Sequence, residues 1–256
     1  MRTAVIAGRV TRLRHVARPD APARDAVLIH GFGADSGVWL MTEPALSRHA
    51  RLTLYDLPGH GGTDLALDGC DLAAFSDHLE ALMDTQGLER PHLIAHSFGA
   101  AVALHLAATR RDRVGSLALI APTGLGAPVD PAFLRDLPEA GTQDAMRSTL
   151  GRMLARPERM APAMVADVLA ALDRPGARDA LRHVAELIPA LDAALAPLLV
   201  RLDGLPVLVL RGAEDRIIAP DAALPFASRT LPGVGHLPQL EAAGAVNAAL
   251  VAHIAP

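Results

Sequence analysis

Lysine is absent from this chain, and all 24 basic residues are arginines. A Schiff-base enzyme, including one that uses pyridoxal phosphate, needs a lysine amine for its covalent chemistry. A Walker-type phosphate loop likewise needs a lysine beside the phosphates. The absence of lysine therefore excludes both of these protein classes.

Cysteine is almost absent as well, since Cys70 is the single one in the sequence. One cysteine cannot form an intramolecular disulfide or a multi-cysteine zinc site. The 11 histidines do not supply a helical zinc motif, because no pair combines the required spacing with an adjacent glutamate. We therefore expect neither a metal nor a cofactor.

A dominant charge and long apolar runs are also missing. The formal net charge is -4 with both signs interspersed, so no basic face for nucleic acid or anionic lipid is predicted. The N-terminal stretch "MRTAVIAGRVTRLRHVAR" alternates arginine with apolar residues, which is typical of strands at an exposed sheet edge and not of a signal peptide. We find no apolar run near the roughly 20 residues that a membrane span requires. We therefore expect a cytoplasmic protein with a small-molecule partner and no nucleic acid or membrane partner, and the sequence leaves its oligomeric state open.

The chain is rich in apolar residues, which make up 51% of its 256 residues and suffice for one sizeable α/β domain. Five short apolar runs predict buried strands: "AVLIH", "RLTLYDL", "HLIA", "SLALIAP" and "PVLVLRG". Helical patterns alternate with them, such as "DLAAFSDHLEALMDTQG", in which Asp71 is a candidate N-cap and Gly87 a C-terminal stop. This alternation predicts a mostly parallel sheet covered by helices on both faces.

Residues 123–202 break the alternation. They contain no convincing strand, only helical segments separated by prolines and glycines. We interpret them as a helical cap inserted over the sheet, between an N-terminal part of the core at residues 1–122 and a C-terminal part at residues 203–256.

A serine, an aspartate and a histidine follow three of the predicted strands. Ser97 comes shortly after "HLIA", Asp215 after "PVLVLRG", and His236 after a weaker strand near residues 228–231. Ligands of open parallel sheets bind outside the C-terminal ends of the strands. A serine hydroxyl is a poor nucleophile unless a neutral imidazole takes its proton, and the imidazole needs a carboxylate to orient it. Ser97, His236 and Asp215 are therefore the candidate nucleophile, general base and orienting acid.

The residues around this set suggest further roles. Phe98 begins the helix after Ser97, and Phe32 follows a strand and a glycine, so their backbone N–H groups are candidates for an oxyanion hole. His60 belongs to the "PGHGG" turn, where a structural role is expected. The candidate substrate-binding residues are His30, Trp39 and His96, of which His30 is also expected to order the oxyanion loop by hydrogen bonds.

Five segments in this order resemble the α/β-hydrolase fold family over nearly the whole chain. They are "HGFG" at residues 30–33, "DLPGHGGTD" at 56–64, "AHSFG" at 95–99, "GAEDRII" at 212–218 and "GVGHLPQLE" at 233–241. The chain order serine, aspartate, histidine is that of the family's catalytic triad. Within the family, "LIAPTGLG" and "EDRIIAP" look most like the hydrolase-like domain of acetyltransferase components of acetoin dehydrogenase complexes.

Ala95 departs from the family pattern, which has glycine as the first residue of G-x-S-x-G. One methyl group is the smallest volume that could be added at a tight turn. We therefore expect a slight local adjustment and an intact turn at Ser97.

The resemblance implies an α/β-hydrolase fold and a serine-dependent carboxylic-ester hydrolase that acts on small uncharged esters through an acyl-enzyme. Three alternatives remain open: an acyltransferase, a carbon–carbon bond hydrolase on the same triad, and a non-catalytic ligand-binding member of the fold. The intact serine, aspartate and histidine set argues against the last of these. The insertion's arginines, such as Arg147, Arg152 and Arg156, are expected to face solvent, which favours an uncharged substrate.

Overall fold

An eight-stranded sheet forms the centre of the structure, a computed structural model that describes residues 1–255. Its strands are β1 (Arg2–Ile6), β2 (Arg9–Val16), β3 (Asp25–Ile29), β4 (Arg51–Tyr55), β5 (His92–His96), β6 (Ser116–Ile120), β7 (Val207–Gly212) and β8 (Ser228–Leu231). Their order across the sheet is β1-β2-β4-β3-β5-β6-β7-β8. The pairs from β4 onward in this order are parallel, whereas β2 pairs antiparallel with both β1 and β4. The predicted mostly parallel sheet with N-terminal edge strands is confirmed.

Helices cover both faces of this sheet. The α-helices are α1 (Glu43–Leu46), α2 (Leu72–Thr85), α3 (Phe98–Thr109), α4 (Pro131–Glu139), α5 (Gln143–Gly151), α6 (Pro162–Leu172), α7 (Ala177–Leu187), α8 (Leu191–Leu195), α9 (Pro238–Glu241) and α10 (Ala243–Ile254). Alternate residues of β3 face two separate apolar clusters. Val27 and Ile29 pack in the larger cluster with α2 and α3, while Ala26 and Leu28 pack in a second cluster with α10. The period of two along a strand therefore builds one core on each face.

Helix α2 shows that the local sequence sets the helix ends. Its N-cap is Asp71, whose carboxylate accepts a hydrogen bond from the Ala74 N–H at 2.9 Å. Gly87 follows the helix with a φ of 67°, a conformation that a glycine adopts without strain. Both predicted boundary residues are confirmed.

The helical insertion, residues 123–202, lies between β6 and β7 and holds α4 to α8. It joins the loop after β7 through an isolated antiparallel bridge between Val129 and Ile218. The Asp130 N–H donates to the Ile217 carbonyl oxygen at 2.8 Å beside this bridge. The insertion is thus hydrogen-bonded to the chain segment that directly follows the predicted acid.

The final part of the insertion corrects one expectation from the sequence. By length and composition, the 26-residue stretch Ala177–Leu202 is long and apolar enough to cross a membrane, and it contains an 18-residue window with a mean hydropathy of 1.5. In the structure it is a succession of short helical segments, and 22% of its apolar window is buried. Leu181, Val184 and Leu195 belong to the larger core cluster. The stretch therefore packs one side against the core, as an amphipathic surface element does.

A buried carboxylate, that of Asp56, connects the loops that follow β3 and β4. It accepts hydrogen bonds from the Ser36 N–H at 2.9 Å and the Gly62 N–H at 2.7 Å, and it forms an ion pair with Arg12. Burial by itself raises the pKa of Asp56, but the two N–H donors and the Arg12 guanidinium outweigh burial and lower the pKa below its ordinary value. The carboxylate therefore stays charged inside the protein and stabilises both loops.

Replacing Asp56 with asparagine should lower the free energy of unfolding by about 3 kcal/mol, because Arg12 loses the buried one of its two carboxylate partners and an N–H donor loses its acceptor. Urea unfolding at neutral pH measures the change. The folded-state pKa of Asp56 is depressed, so its stabilisation is present above the unfolded-state pKa of about 3.9 and is lost as the pH falls through the folded-state value. The difference between the two proteins should therefore narrow in acid.

Asp179→Asn is the matched control, because Asp179 pairs with Arg182 on the surface of α7. Exposed pairs contribute little, so this variant should unfold with wild-type stability. Equal stability of the wild type and the Asp56→Asn variant at neutral pH would show that the two loops do not depend on this carboxylate.

Candidate active site

Ser97 lies on the turn between β5 and α3, in a backbone conformation that side chains rarely adopt. Its φ is 51° and its ψ is -119°. The Ser97 N–H donates to the Ile120 carbonyl oxygen at 3.0 Å. The Ser97 carbonyl oxygen accepts hydrogen bonds from the Thr123 backbone N–H at 3.3 Å and from the Thr123 hydroxyl at 3.1 Å. These bonds to the end of β6 and the loop beyond it hold the strained turn in place.

The turn also requires a close approach between α3 and β3. A Cβ atom at Gly99 would lie 2.3 Å from the His30 carbonyl oxygen, so no larger residue fits. Ala95, the departure from the family pattern, is fully buried and stays in register with Ile29 and Leu119. The turn therefore forms with alanine in this place.

The structure brings Ser97, His236 and Asp215 together in one hydrogen-bonded series. The Ser97 Oγ lies 3.1 Å from the His236 Nε2, and the His236 Nδ1 lies 2.8 Å from the Asp215 Oδ2. An ionised carboxylate only accepts hydrogen bonds, so Nδ1 carries the ring proton and Nε2 is free to accept the serine proton. The exposed fractions are 6% for Ser97, 7% for Asp215 and 1% for His236, so this proton acceptor is shielded from bulk water.

Asp215 is held in the charged form by its surroundings. Its second oxygen, Oδ1, accepts hydrogen bonds from the Ile217 N–H at 2.8 Å and the Ile218 N–H at 2.9 Å. Burial raises the pKa of Asp215, but the hydrogen bond from His236 and these two N–H donors outweigh burial and lower the pKa. The two oxygens therefore bond to the turn and to the imidazole at the same time.

Glu214, the neighbouring carboxylate, has a different task. Its Oε2 accepts a hydrogen bond from the Val234 N–H at 2.7 Å. The Gly235 N–H donates to Glu241 at 2.8 Å, and the His236 N–H donates to the Met153 carbonyl oxygen at 2.7 Å. The N–H groups of three successive residues of the histidine loop, residues 234–236, are thus each held by a separate acceptor.

The histidine loop is also bonded to the helical insertion. Met153 belongs to the insertion, and the other oxygen of Glu241 accepts a hydrogen bond from the Ala155 N–H at 2.8 Å.

Sequence reasoning missed Glu241 and Met153. Met153 acts through its backbone carbonyl, which no side-chain pattern reveals. Thr123, also missed, lies just beyond the end of β6, where the strand-end rule that found Ser97 could have found it.

The backbone segments that carry the two predicted oxyanion donors lie next to Ser97. Phe98 is the first residue of α3, so its N–H has no carbonyl partner within the helix. Phe32 follows Gly31, which is so close to the turn that a Cβ there would lie 2.9 Å from the Ser97 Cβ. The structure therefore places both backbone segments beside Ser97.

The predicted substrate-binding residues lie deeper than expected. Trp39 is fully buried in the second apolar cluster, on the sheet face covered by α10, so the prediction that it lines the substrate pocket is wrong. The residue lies on the short helical turn Ser36–Trp39, whose orientation the sequence does not define. Tertiary packing directs the indole into the core.

His30 and His96 are also almost completely buried, and both hold loops. The His30 Nε2 accepts a hydrogen bond from the Leu57 N–H at 2.9 Å, and its ring packs edge-on against His60 at 5.3 Å. The His96 Nε2 lies 2.8 Å from the His236 carbonyl oxygen. Burial lowers the pKa of His30, and it lowers the pKa of His60 and of His96 to about 3 in each case. These three imidazoles are therefore neutral.

Apolar residues of the helical insertion cover the loops of the site. Phe133 packs edge-on against Phe32 with 6.3 Å between the ring centroids. Leu137 and Leu181 lie against Gly33, just beyond the predicted oxyanion donor. The surroundings of the nucleophile on this side are hydrocarbon.

One insertion arginine departs from the prediction that it faces solvent. Arg152 is partly buried, forms ion pairs with Asp130 and with Asp136, and lies 5.8 Å from the centroid of the Phe133 ring. Two carboxylates neutralise its guanidinium, so it is not free to bind an anionic substrate. Arg147 is exposed, as predicted.

Within residues 1–255 no group of three histidine, cysteine, aspartate or glutamate side chains is arranged to hold a metal ion.

Comparisons with known sequences identify relatives of this chain. One relative is the dihydrolipoyllysine-residue acetyltransferase component of the acetoin cleaving system of Pseudomonas putida. It is 36% identical over 235 residues, which cover 89% of this chain. The chain spans 62% of that relative's length. A pimeloyl-[acyl-carrier protein] methyl ester esterase of Neisseria meningitidis is 30% identical over 213 residues, which cover 79% of each of the two proteins.

A solved structure shares the fold of this chain. The 2-hydroxy-6-oxo-6-phenylhexa-2,4-dienoate hydrolase from Rhodococcus sp. strain RHA1 superposes with a TM-score of 0.85 over 98% of this chain and 96% of that one, at 22% identity, a likeness that concerns the fold alone. The sequence profile of the "alpha/beta hydrolase fold" family matches residues 27–243. With the profile match, the sheet order and the sequence relatives in agreement, this chain belongs to the α/β-hydrolase fold family.

Proposed function

We propose that the protein is a serine-dependent carboxylic-ester hydrolase that acts on small uncharged esters. The observation that carries the proposal is the position of the His236 ring, between the Asp215 carboxylate at 2.8 Å and the Ser97 hydroxyl at 3.1 Å. This geometry suits a serine nucleophile, because the base is in hydrogen-bond reach of the proton it must take and a carboxylate fixes its tautomer.

The reaction follows from these contacts. Ser97 Oγ attacks the acyl carbon while His236 Nε2 takes the hydroxyl proton, and His236 then returns that proton to the leaving alcohol oxygen. A water molecule, deprotonated by the same nitrogen, attacks the acyl-enzyme and releases the carboxylic acid and free serine. Asp215 stays ionised throughout and stabilises the imidazolium that forms in each half of the reaction.

Two backbone donors would stabilise the negative charge that develops on the acyl oxygen. The Phe98 N–H is at the start of α3, where the helix dipole also favours negative charge. The Phe32 N–H belongs to the loop that packs against Ser97 through Gly31. Donors of this kind are already oriented before the reaction, so the protein does not have to rearrange, and each stabilises the transition state by about 3 kcal/mol.

The surroundings of the nucleophile favour an uncharged acyl group. Phe133, Leu137 and Leu181 approach the oxyanion loop, and Arg152 is already paired with Asp130 and Asp136. Apolar atoms would gain free energy on burial there, whereas a carboxylate in the acyl chain would find no free cation among these residues.

Acyl transfer is the second candidate, and a specific observation favours it. The 36% identical relative is named as an acetyltransferase component, and transfer uses the same acyl-enzyme with a thiol in place of water. Adding dihydrolipoamide to an ester assay distinguishes the two reactions. Hydrolysis leaves the yield of free acid unchanged, whereas transfer diverts the acyl group to the dithiol as a thioester.

Replacing Ser97 with alanine should remove the activity, with a fall in ester turnover of at least about 10³-fold, while the fold remains intact. The measurement combines turnover of a p-nitrophenyl ester with covalent labelling by a fluorophosphonate, which needs an activated serine. Ser148→Ala, on the exposed side of α5, is the control and should keep both signals. Wild-type turnover in the Ser97→Ala variant would exclude this serine as the nucleophile.

Replacing Asp215 with asparagine should reduce kcat on the order of 10⁴-fold with a small effect on KM, because the amide no longer fixes the productive tautomer of His236. The depressed pKa of Asp215 keeps the carboxylate charged across the working range. Steady-state kinetics with a p-nitrophenyl ester measure both constants.

Glu214→Gln is the matched control for this variant, since the Glu214 side chain bonds to the Val234 N–H and glutamine retains an acceptor oxygen. It should reduce kcat far less than the Asp215 change. If instead Glu214→Gln causes the larger loss, the orienting acid has been misassigned.

An ester series should show kcat/KM rising with acyl length and then falling. Each methylene buried against the insertion contributes about 0.8 kcal/mol until the wall of the pocket is reached. We expect the optimum at short to medium chains. The measurement compares p-nitrophenyl esters from acetate to palmitate with an anionic dicarboxylic half-ester. A preference for palmitate, or for the half-ester over its neutral counterpart, would contradict the proposed pocket.

A further inference from the structure

We propose that His96 is a positioning residue, whose buried ring lies between two loops of the site and holds His236 in reach of Ser97. This inference rests on the proposed triad and concerns a residue that the triad chemistry does not use. His96 is the last residue of β5 and directly precedes the nucleophile. Its Nε2 lies 2.8 Å from the His236 carbonyl oxygen, and the two ring centroids are 4.9 Å apart.

The direction of this hydrogen bond fixes the state of the His96 ring. A carbonyl oxygen can only accept, so the His96 Nε2 carries the proton and Nδ1 has the lone pair. Nδ1 is buried and has no hydrogen-bond partner among residues 1–255. It faces the oxyanion loop, because a Cβ at Gly31 would lie 2.8 Å from it. One side of the ring therefore packs against Gly31 while the other side bonds to the backbone of His236.

The bond completes the support of the catalytic histidine. The His236 N–H is held by the Met153 carbonyl oxygen at 2.7 Å, its carbonyl by His96, and its ring by Asp215. Without the donor of His96, the buried carbonyl would be unpaired and the peptide would be held from one side alone. A displacement of about 1 Å between reacting groups can reduce a rate on the order of 10²-fold. The distance of 3.1 Å from the His236 Nε2 to the Ser97 Oγ depends on this peptide.

The neutrality of His96 fits the same role. Burial first, and then the neighbouring His236, lower its pKa to about 3, against a smaller opposing effect of Asp215. His30 also faces it and is itself buried with a lowered pKa. A positive charge on His96 would oppose the imidazolium that forms on His236 at a centroid distance of 4.9 Å. A neutral donor holds the carbonyl without that repulsion.

The experiment replaces His96 by three side chains and measures the rate at which a fluorophosphonate labels Ser97, together with kcat and KM for a p-nitrophenyl ester. Phenylalanine keeps a planar ring and removes the donor. Glutamine can place an N–H donor close to the position of Nε2, whereas the shorter asparagine places its amide near the position of Nδ1. His105→Phe, on the partly exposed side of α3, makes the same change away from the site.

We expect His96→Phe and His96→Asn to lower the labelling rate and kcat by about 10- to 100-fold with KM nearly unchanged. His96→Gln should restore most of this loss, and the His105 variant should label at the wild-type rate. In the wild-type protein, the ring nitrogen shifts of His96 in ¹⁵N NMR should show a neutral, Nε2-protonated imidazole from about pH 5 to 9. The NMR measurement needs no variant and therefore does not depend on the folding of one.

The outcomes separate this inference from the proposed function. If the fluorophosphonate does not label the wild-type protein, the serine-hydrolase function fails and the positioning role fails with it. If the wild type is labelled and His96→Phe is labelled equally fast, the positioning role alone is wrong. Equal losses of labelling rate and kcat in all three variants would show that His96 acts only by packing. Titration of its ring near neutral pH would also overturn the proposal.

Discussion

The strained turn at Ser97 is the constraint on which the rest of the site depends. A φ of 51° at a serine costs on the order of 1–3 kcal/mol and persists only where the surroundings hold it. Here Thr123 and the end of β6 hold the turn by hydrogen bonds, and Gly99 allows α3 to pass beside the end of β3. Because the strands are parallel, the same edge of the sheet also presents the loops that carry Asp215 and His236.

The electrostatics of the site combine one buried charge with neutral rings. Asp215 keeps its charge because two N–H groups and His236 replace the water that burial removes. At His30, His60 and His96 the opposing hydrogen bonds and carboxylates are weaker than the effect of burial, which lowers the pKa of each ring and keeps it neutral. The negative charge beside His236 is therefore not cancelled by neighbouring imidazolium groups.

The helical insertion is bonded to the same loops that carry the acid and the base. Asp130 bonds to the chain after Asp215 through Ile217, while Met153 bonds directly to the His236 N–H. Glu241 accepts hydrogen bonds from both sides of this contact. The insertion cannot move away from the histidine loop without breaking these bonds.

The sequence by itself determined the order of strands and helices, the caps of α2 and the three residues that meet in the site. These features follow from local rules: burial period, turn chemistry and the convergence of strand ends. Only the tertiary structure decided that Trp39 lies in the core on the far face, that Arg152 is neutralised by two aspartates, and that Ala177–Leu202 packs along one side of the core. It also decided that Asp215 forms a hydrogen bond with the His236 ring, whereas Glu214 accepts one from the Val234 N–H. The reason is that the local sequence fixes where an element starts and which residues alternate along it. The hydrogen-bond partner of a side chain is different, because it is in place only after distant segments have packed together. This is clearest where the partner is a backbone carbonyl, such as that of Met153 or His236.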